Sequence, residues 1–113
     1  MEQTAIQTLP HSIEAERSVL GAMLLDTSAL DAMLEQLKPD DFYQAAHVHI
    51  FEAMQKIRQD GNAVDLVTLS NALERSGKLE SAGGVVYLTE LMSFVPTTAN
   101  VQHYARIVEE HSI

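Results

Sequence analysis

Histidines and acidic residues are the side chains of this 113-residue chain with the greatest capacity for chemistry. Five histidines could bind a metal ion, because imidazole nitrogens are common zinc ligands. Paired carboxyl groups could act as general acid and base in a hydrolase. The acidic pairs are Glu14 with Glu16, Asp40 with Asp41, and Glu109 with Glu110. Either use requires the groups to meet on one face of the fold. Their spacing along the predicted helices therefore decides whether a metal site or a catalytic pair is possible.

The histidine spacing argues against a metal site. His47 and His49 are two residues apart, so on a helix their side chains point about 200° away from each other and cannot share an ion. His11, His103 and His111 have no histidine at i+4. Because His47 falls on an apolar helix face, a hydrogen-bonded core histidine is the preferred interpretation. We therefore predict no metal site and no cofactor-binding site in this chain.

The acidic pairs are better explained by helix capping than by catalysis. Glu14, Glu16, Asp40 and Asp41 fall at expected helix starts, where carboxylates accept from free backbone N–H groups and meet the positive end of the helix dipole. No nucleophile, set of oxyanion donors or cofactor motif accompanies them. We predict no catalytic residues. A free-standing hydrolase that uses Asp40 and Asp41 remains the competing enzyme hypothesis.

Composition indicates one globular domain. The chain has 46% hydrophobic and 20% charged residues, which is neither a disordered nor a membrane-spanning composition. It has no cysteine, which fits a cytoplasmic protein. Seven Lys and Arg stand against sixteen Asp and Glu, so we expect poor direct binding to nucleic acid. An acidic surface favours solubility first and a basic protein partner second.

Apolar residues recur at helical spacing through most of the chain and predict an all-α fold, a compact bundle of about six short helices. Residues 1–10 are expected to be a flexible lead, before a domain that covers residues 11–113. The first helix should run from Ser12 to Leu25, with Glu16 at its wet margin. A turn over residues 40–43 should send its two aromatic side chains into the core.

The later helices have clear start and stop signals. Asp26 and Asp65 are predicted to cap helices, and a helix from about Ala45 to Asp60 lies between them. Gly77 should end the Asp65 helix, because glycine readily adopts the left-handed conformation found after helices. Further helices are expected after residue 84 and from residue 99, with a break at residues 95–98.

Two features favour recognition of a protein partner. Tyr87, Glu90 and Phe94 share a flank of one helix, and tyrosine is a frequent interface anchor. The alternative, that Tyr87 only borders the core, remains open. We assign partner binding to Glu14 and to these three residues. The last helix is amphipathic and has no C-terminal cap, so it is expected to continue and to need a partner face. The residues assigned to self-association are Val101, Tyr104, Ala105 and Val108.

Four segments resemble, in the same order, the N-terminal domain of the bacterial replicative DNA helicase of the DnaB type. These segments are Ser12–Asp26, Asp40–Met54, Asp65–Leu91 and Pro96–Glu110. Together they cover most of residues 9–113. The resemblance implies a helical head followed by a helical hairpin. In such helicases hairpins pair the heads into dimers, and three dimers form a collar above the ATPase ring.

The resemblance also implies partners. The C-terminal domain of primase would dock on the collar, a helicase loader is a further partner, and no membrane is involved. ATP and Mg would belong to a motor domain, whose Walker A lysine and Walker B aspartate this chain lacks. We therefore expect no enzyme activity here, only in an ATP-dependent 5'-3' helicase parent that continues past Ile113. The alternative function is a stand-alone acidic adaptor or regulatory protein.

Overall fold

A computed structural model describes residues 2–94 and 100–110, with side chains from Ile13 onward. In these residues, the apolar positions that recur at helical spacing lie on six α-helices. No strand occurs in these residues. A one-turn 3-10 helix at Pro39–Asp41 joins α2 to α3. The all-α prediction is confirmed. The helices are α1 (Glu2–Leu25), α2 (Thr27–Gln36), α3 (Ala45–Gln59), α4 (Leu66–Arg75), α5 (Gly84–Phe94) and α6 (Val101–Glu110).

Side-chain caps fix where α2 and α4 begin. The carboxylate of Asp26 accepts from the backbone N–H of Ser28 at 2.9 Å. At α4 the bonds are reciprocal: Asp65 accepts from the N–H of Thr68 at 2.8 Å, and the Thr68 hydroxyl accepts from the N–H of Asp65 at 2.9 Å. These bonds satisfy donors that the first helical turn leaves free. Both predicted starts are confirmed, and Gly77 follows α4 with a φ of 74° as expected.

Helix α1 is the element around which the domain is built. It packs against α2, α3, α5 and α6, while α4 packs against α3 and α5. Val19, Leu20 and Met23 on α1 are fully covered, and the ring centroid of Phe51 on α3 lies 5.0 Å from that of Phe42, with the rings tilted by 38°. The inward faces of the helices thus form one continuous apolar core.

Three expectations change in the structure. Helix α1 begins at Glu2 rather than Ser12; flexibility of residues 1–10 stays a prediction. Tyr43 is 63% exposed, so only Phe42 of the two aromatic residues enters the core. The backbone at Phe42 is extended, and successive side chains of extended backbone point in opposite directions. Glu16 is fully buried rather than at a wet margin, because it has hydrogen-bond donors inside the fold.

The remaining sequence predictions about elements concern positions that the structure does not describe. The expected break at residues 95–98, the start of the last helix at Ala99 and His111 all lie outside the described residues. Within residues 2–94 and 100–110, no helix combines the length and apolarity needed to cross a lipid bilayer.

Candidate protein-interaction surface

A buried polar network links three helices beneath the outer face of α5. Glu16 on α1 and His47 on α3 are both fully covered. One Glu16 carboxylate oxygen lies 2.6 Å from His47 Nδ1, and the other accepts from the backbone N–H of Tyr43 at 2.6 Å. These contacts satisfy groups that would otherwise be costly to bury. The prediction that His47 is a hydrogen-bonded core histidine is confirmed.

Tyr87 on α5 closes the network. Its hydroxyl oxygen lies 2.6 Å from His47 Nε2, and the two rings are nearly parallel with centroids 5.9 Å apart. Because a carboxylate only accepts, His47 Nδ1–H donates to Glu16, and the Tyr87 hydroxyl, which can donate or accept, pairs with Nε2. Tyr87 is therefore held in one orientation, with one edge in the core and the other at the surface.

Burial raises the pKa of Tyr87 above its ordinary value of 10.0. The charges of Glu16 and Glu90 raise it further, while the adjacent Arg17 guanidinium opposes the shift. The phenol therefore stays protonated at physiological pH.

The outer side of this network is a small cleft of about 110 Å³, lined by residues of α1 and α5. The Arg17 guanidinium carbon lies 5.6 Å from the centroid of the Phe94 ring, a cation–π arrangement. Arg17 Nε is buried without a hydrogen-bond partner among the described residues. The lining residues are Arg17, Tyr87, Glu90, Leu91 and Phe94.

Next to the cleft, α5 exposes several apolar side chains to solvent. Val86 is 72% exposed, and Val85 and Phe94 are also exposed. Together with Glu90 they line a shallow groove along the helix. Leu88 and Leu91, on the opposite side, are buried in the core. Apolar surface with a charged margin of this kind is typical of a protein-binding site.

The turn before α5 packs closely against Tyr87. Gly83 has a φ of 101°, and a Cβ atom at this position would lie 2.6 Å from Cβ of Tyr87. Only glycine allows the backbone to approach the tyrosine so closely. The turn before α5 and the polar network therefore fix the outer face of the helix from two sides.

The order carboxylate, histidine, hydroxyl resembles a nucleophilic triad, but its surroundings do not support catalysis. Glu16 and His47 are inaccessible, and the cleft beside Tyr87 is smaller than the ~300–1,000 Å³ typical of ligand sites. The raised pKa of Tyr87 also makes its hydroxyl a poorer nucleophile. The geometry supports a structural role that positions α5.

The competing hydrolase hypothesis receives no support from the acidic residues that it would use. The Asp41 carboxylate accepts from the backbone N–H of Lys38 at 2.8 Å, which is a capping bond. Among residues 2–94 and 100–110, no group of three His, Asp or Glu side chains could hold a metal ion.

The structure brings together three of the four residues assigned to partner binding. Tyr87, Glu90 and Phe94 line one cleft. Glu14 is exposed on α1, three residues before Arg17, and its side chain has no hydrogen bond or ion pair in the described part of the chain. Whether these residues bind a partner stays a prediction.

The residues assigned to self-association have a different environment. Val101, Ala105 and Val108 are buried where α6 packs against α1, so their side chains already have partners within the chain. The apolar stripe that the sequence assigned to self-association is thus covered within the chain. Tyr104 is half-buried beside His103 and remains available for a contact. Self-association through α6 stays a prediction that now depends on its outer side.

Sequence reasoning did not assign Glu16 or Arg17 to this site. Glu16 falls on an apolar stripe, and a charged residue in such a stripe indicates a buried partner. His47 falls on another such stripe, so pairing these two residues could have revealed the network. Arg17 had no comparable signal, because its contact with Phe94 depends on how α1 and α5 cross.

Comparison with known proteins gives consistent matches. Residues 8–110 match the family model described as the DnaB-like helicase N-terminal domain. The chain is 56% identical over 104 residues to the replicative DNA helicase DnaB of Geobacillus stearothermophilus, which covers 92% of this chain and 23% of that protein. The chain therefore spans about a quarter of the length of this relative.

Two solved structures are also similar. The N-terminal domain of DnaB helicase from Mycobacterium tuberculosis aligns with a TM-score of 0.84 and 44% identity, over 88% of this chain and 71% of that one. A DnaB-like replicative helicase, from a study of its interactions with primase, aligns with a TM-score of 0.74 and 29% identity. That alignment covers 87% of this chain and 23% of the other.

Proposed function

Because this chain belongs to the family of DnaB-like helicase N-terminal domains, we propose that it is a non-catalytic interaction and assembly domain of a replicative DNA helicase. Its partner would be the C-terminal domain of primase during DNA replication. ATP and Mg would be used by a motor domain elsewhere in the parent, which would act in the cytoplasm.

The observation that carries the proposal is the outer face of α5. It combines exposed apolar side chains, a half-buried tyrosine and an arginine that lines the same cleft. Tyr and Arg are enriched among residues that contribute most to binding energy. The network under Tyr87 holds this face in one conformation, which lowers the entropy lost on binding. A solved relative studied with primase supports the choice of partner.

Binding of the primase C-terminal domain, measured by titration calorimetry, tests this surface. Phe94→Ala should weaken binding by roughly tenfold, because it removes an exposed aromatic anchor and the ring beneath Arg17. Glu90→Lys should change affinity through charge alone. Tyr43→Ala is the matched control, since it also removes an exposed aromatic ring, but outside this face.

Thermal melting must accompany these measurements. Phe94→Ala and Glu90→Lys alter exposed residues, so their melting midpoints should stay close to that of the parent chain. Unchanged primase affinity in both variants would contradict the proposed surface. Tyr87→Ala is a less suitable variant, because it also leaves His47 without its hydroxyl partner.

We also propose that the domain contributes to the collar, through dimers that assemble in threes. Since three of the apolar residues of α6 are already covered by α1, association of this chain alone should be weak. Sedimentation velocity over a range of concentrations should show mainly monomer, with Tyr104→Glu suppressing any dimer. A tight hexamer formed by this chain would contradict that expectation. A helicase loader is a further proposed partner.

A further inference from the structure

A second groove lies between α3 and α4, on elements that do not carry the cleft at Arg17 and Phe94. Its main cavity of about 580 Å³ continues into a smaller one of about 190 Å³, and both are lined by Lys56, Ala72 and Ser76. Ile57 and Ala63 complete the apolar part of the main cavity. The groove is open because alanines stand where larger side chains would fill the space between the helices.

Basic residues stand on both walls of this groove. Lys56 comes from α3, whereas Arg75 and Lys78 come from the end of α4 and the turn after it. They are three of only seven Lys and Arg in a chain with a net charge of −9. Two carboxylates, Asp60 and Glu52, also line the two cavities. The groove thus has a small excess of cations, three against two carboxylates, within an acidic protein.

These cations are available to a ligand. Arg75 and Lys78 have no ion pair in the part of the chain that the structure describes. Lys56 contacts Asp60 at 3.6 Å, but both side chains are largely exposed, and such pairs contribute little. Arg58, by contrast, donates two 3.0 Å bonds to Asp31 and is occupied.

Two hydrogen bonds hold the end wall of the groove, and a buried unsatisfied atom belongs to one of its lining residues. Its end wall is held by bonds from the Asn62 N–H to the Ile57 carbonyl at 3.1 Å and from the Thr68 hydroxyl to the Ala63 carbonyl at 3.0 Å. His49 lines the smaller cavity, and its Nδ1 is buried without a hydrogen-bond partner among the described residues.

We propose that the α3–α4 groove binds an acidic amphipathic segment of a partner protein. Apolar side chains of the segment would enter between the helices, and its carboxylates would meet Lys56 on one wall and Arg75 and Lys78 on the other. Cations on both sides of an apolar floor complement a helix with carboxylates flanking an apolar stripe. Nucleic acid fits less well, because no Phe, Tyr or Trp lines the two cavities for base stacking and the protein is strongly acidic.

The test uses defined probes and the chain itself in solution. A helical peptide of about 15 residues (roughly four turns), with leucines on one face and glutamates beside them, is titrated into isotopically labelled protein. A second peptide carries Gln in place of each Glu, and the third probe is oligothymidylate. Amide resonances of α3 and α4 should shift with the Glu peptide, and raised salt should weaken its binding.

Charge-reversal variants locate the site. The double variant Arg75→Glu with Lys78→Glu should lower affinity for the Glu peptide by roughly tenfold or more. The matched control is Lys38→Glu with Arg106→Glu, which changes the net charge equally outside the groove and should lower affinity far less. Ala72→Leu should block binding by filling the floor, and Lys56→Glu tests the opposite wall should Ala72→Leu fail to fold.

Several results would overturn the proposal. Equal losses in the groove pair and the control pair would mean that only overall charge matters. Equal binding of the Gln peptide would exclude recognition of carboxylates. Stronger binding of oligothymidylate at the same resonances would replace the protein partner with nucleic acid. None of these experiments contains primase, so they are independent of the result at α5.

Discussion

Two polar regions of this domain differ in where their partners come from. At the Glu16–His47–Tyr87 network, the protein supplies a partner for both ring nitrogens of His47 and both carboxylate oxygens of Glu16. At the α3–α4 groove, Arg75 and Lys78 face solvent without an ion pair in residues 2–94 and 100–110. The polar groups of the first region are paired within the chain, whereas the cations of the second are accessible to a ligand.

The difference shows what a polar residue contributes in each setting. A buried group must be satisfied within the fold, so it specifies how α1, α3 and α5 meet and is costly to remove. An exposed charge contributes little to folding but remains free for recognition. Substitutions in the network should therefore change stability first, and substitutions at the groove should change binding first.

Glu16→Ala provides the strongest test of this comparison. It leaves the N–H of Tyr43 and Nδ1 of His47 without an acceptor in the core, so the free energy of unfolding should fall by about 3–5 kcal/mol. Glu14→Ala, two residues earlier on an exposed face, should change it by about 0.5 kcal/mol or less. Urea unfolding of both variants measures the contrast. Similar losses would mean that the network does not specify the fold.

The next largest effect is expected at the turn before α5. Gly83→Ala would put a methyl group 2.6 Å from Cβ of Tyr87 and strain the backbone at a φ of 101°, so it should cost about 2–3 kcal/mol. Gly84→Ala has a comparable φ of 77° but open space around it, and should cost about 1 kcal/mol. Thermal melting distinguishes the two. Equal losses would indicate that only backbone conformation matters there.

Local rules allowed the sequence to predict most of the secondary structure. Asp26 and Asp65 mark helix starts because a cap depends on residues within one turn. Gly77 marks an end for the same reason, since its φ of 74° is a property of a single residue. The apolar stripes on α2 to α5 follow from periodicity alone. These features predict six helices without any knowledge of which helices touch.

Contacts between distant segments could not be predicted in this way. Glu16 and His47 are 31 residues apart, and His47 and Tyr87 are 40 apart. In the sequence, each of these residues is an isolated polar side chain, and only the fold brings the three together. The same limit explains α6, whose apolar stripe was assigned to a second copy although α1 of the same chain covers it. Periodicity identifies a face to bury but does not identify what buries it.

Tyr87→Phe isolates a single bond of the network and gives a smaller effect. Losing the hydroxyl should cost about 1 kcal/mol near neutral pH. The pKa of Tyr87 is raised in the folded protein, so its neutral form favours folding; that stability is complete below pH 10 and is lost as pH rises above it. The stability difference between parent and variant should therefore shrink above pH 10.

Ultraviolet titration of a Tyr43→Phe, Tyr104→Phe background measures this phenol alone, because the chain has three tyrosines. Its midpoint should lie above 10 in the folded protein and fall toward 10 in urea. A folded midpoint at or below 10 would contradict the burial of the hydroxyl against His47. A pH-independent stability difference would contradict its role in the network.

Asp60→Asn should produce the smallest change in stability and a gain of binding at the groove. Its carboxylate is exposed and contacts Lys56 at 3.6 Å, so the free energy of unfolding should change by less than about 0.5 kcal/mol. Removing this charge should nevertheless raise affinity for the acidic peptide a few-fold, because Lys56 loses a competing carboxylate. Asp31→Asn is the matched control: it releases Arg58 outside the groove and should leave peptide affinity unchanged. If Asp60→Asn instead destabilised the fold and left affinity unaltered, the groove charges would serve folding, and the distinction between the two regions would fail.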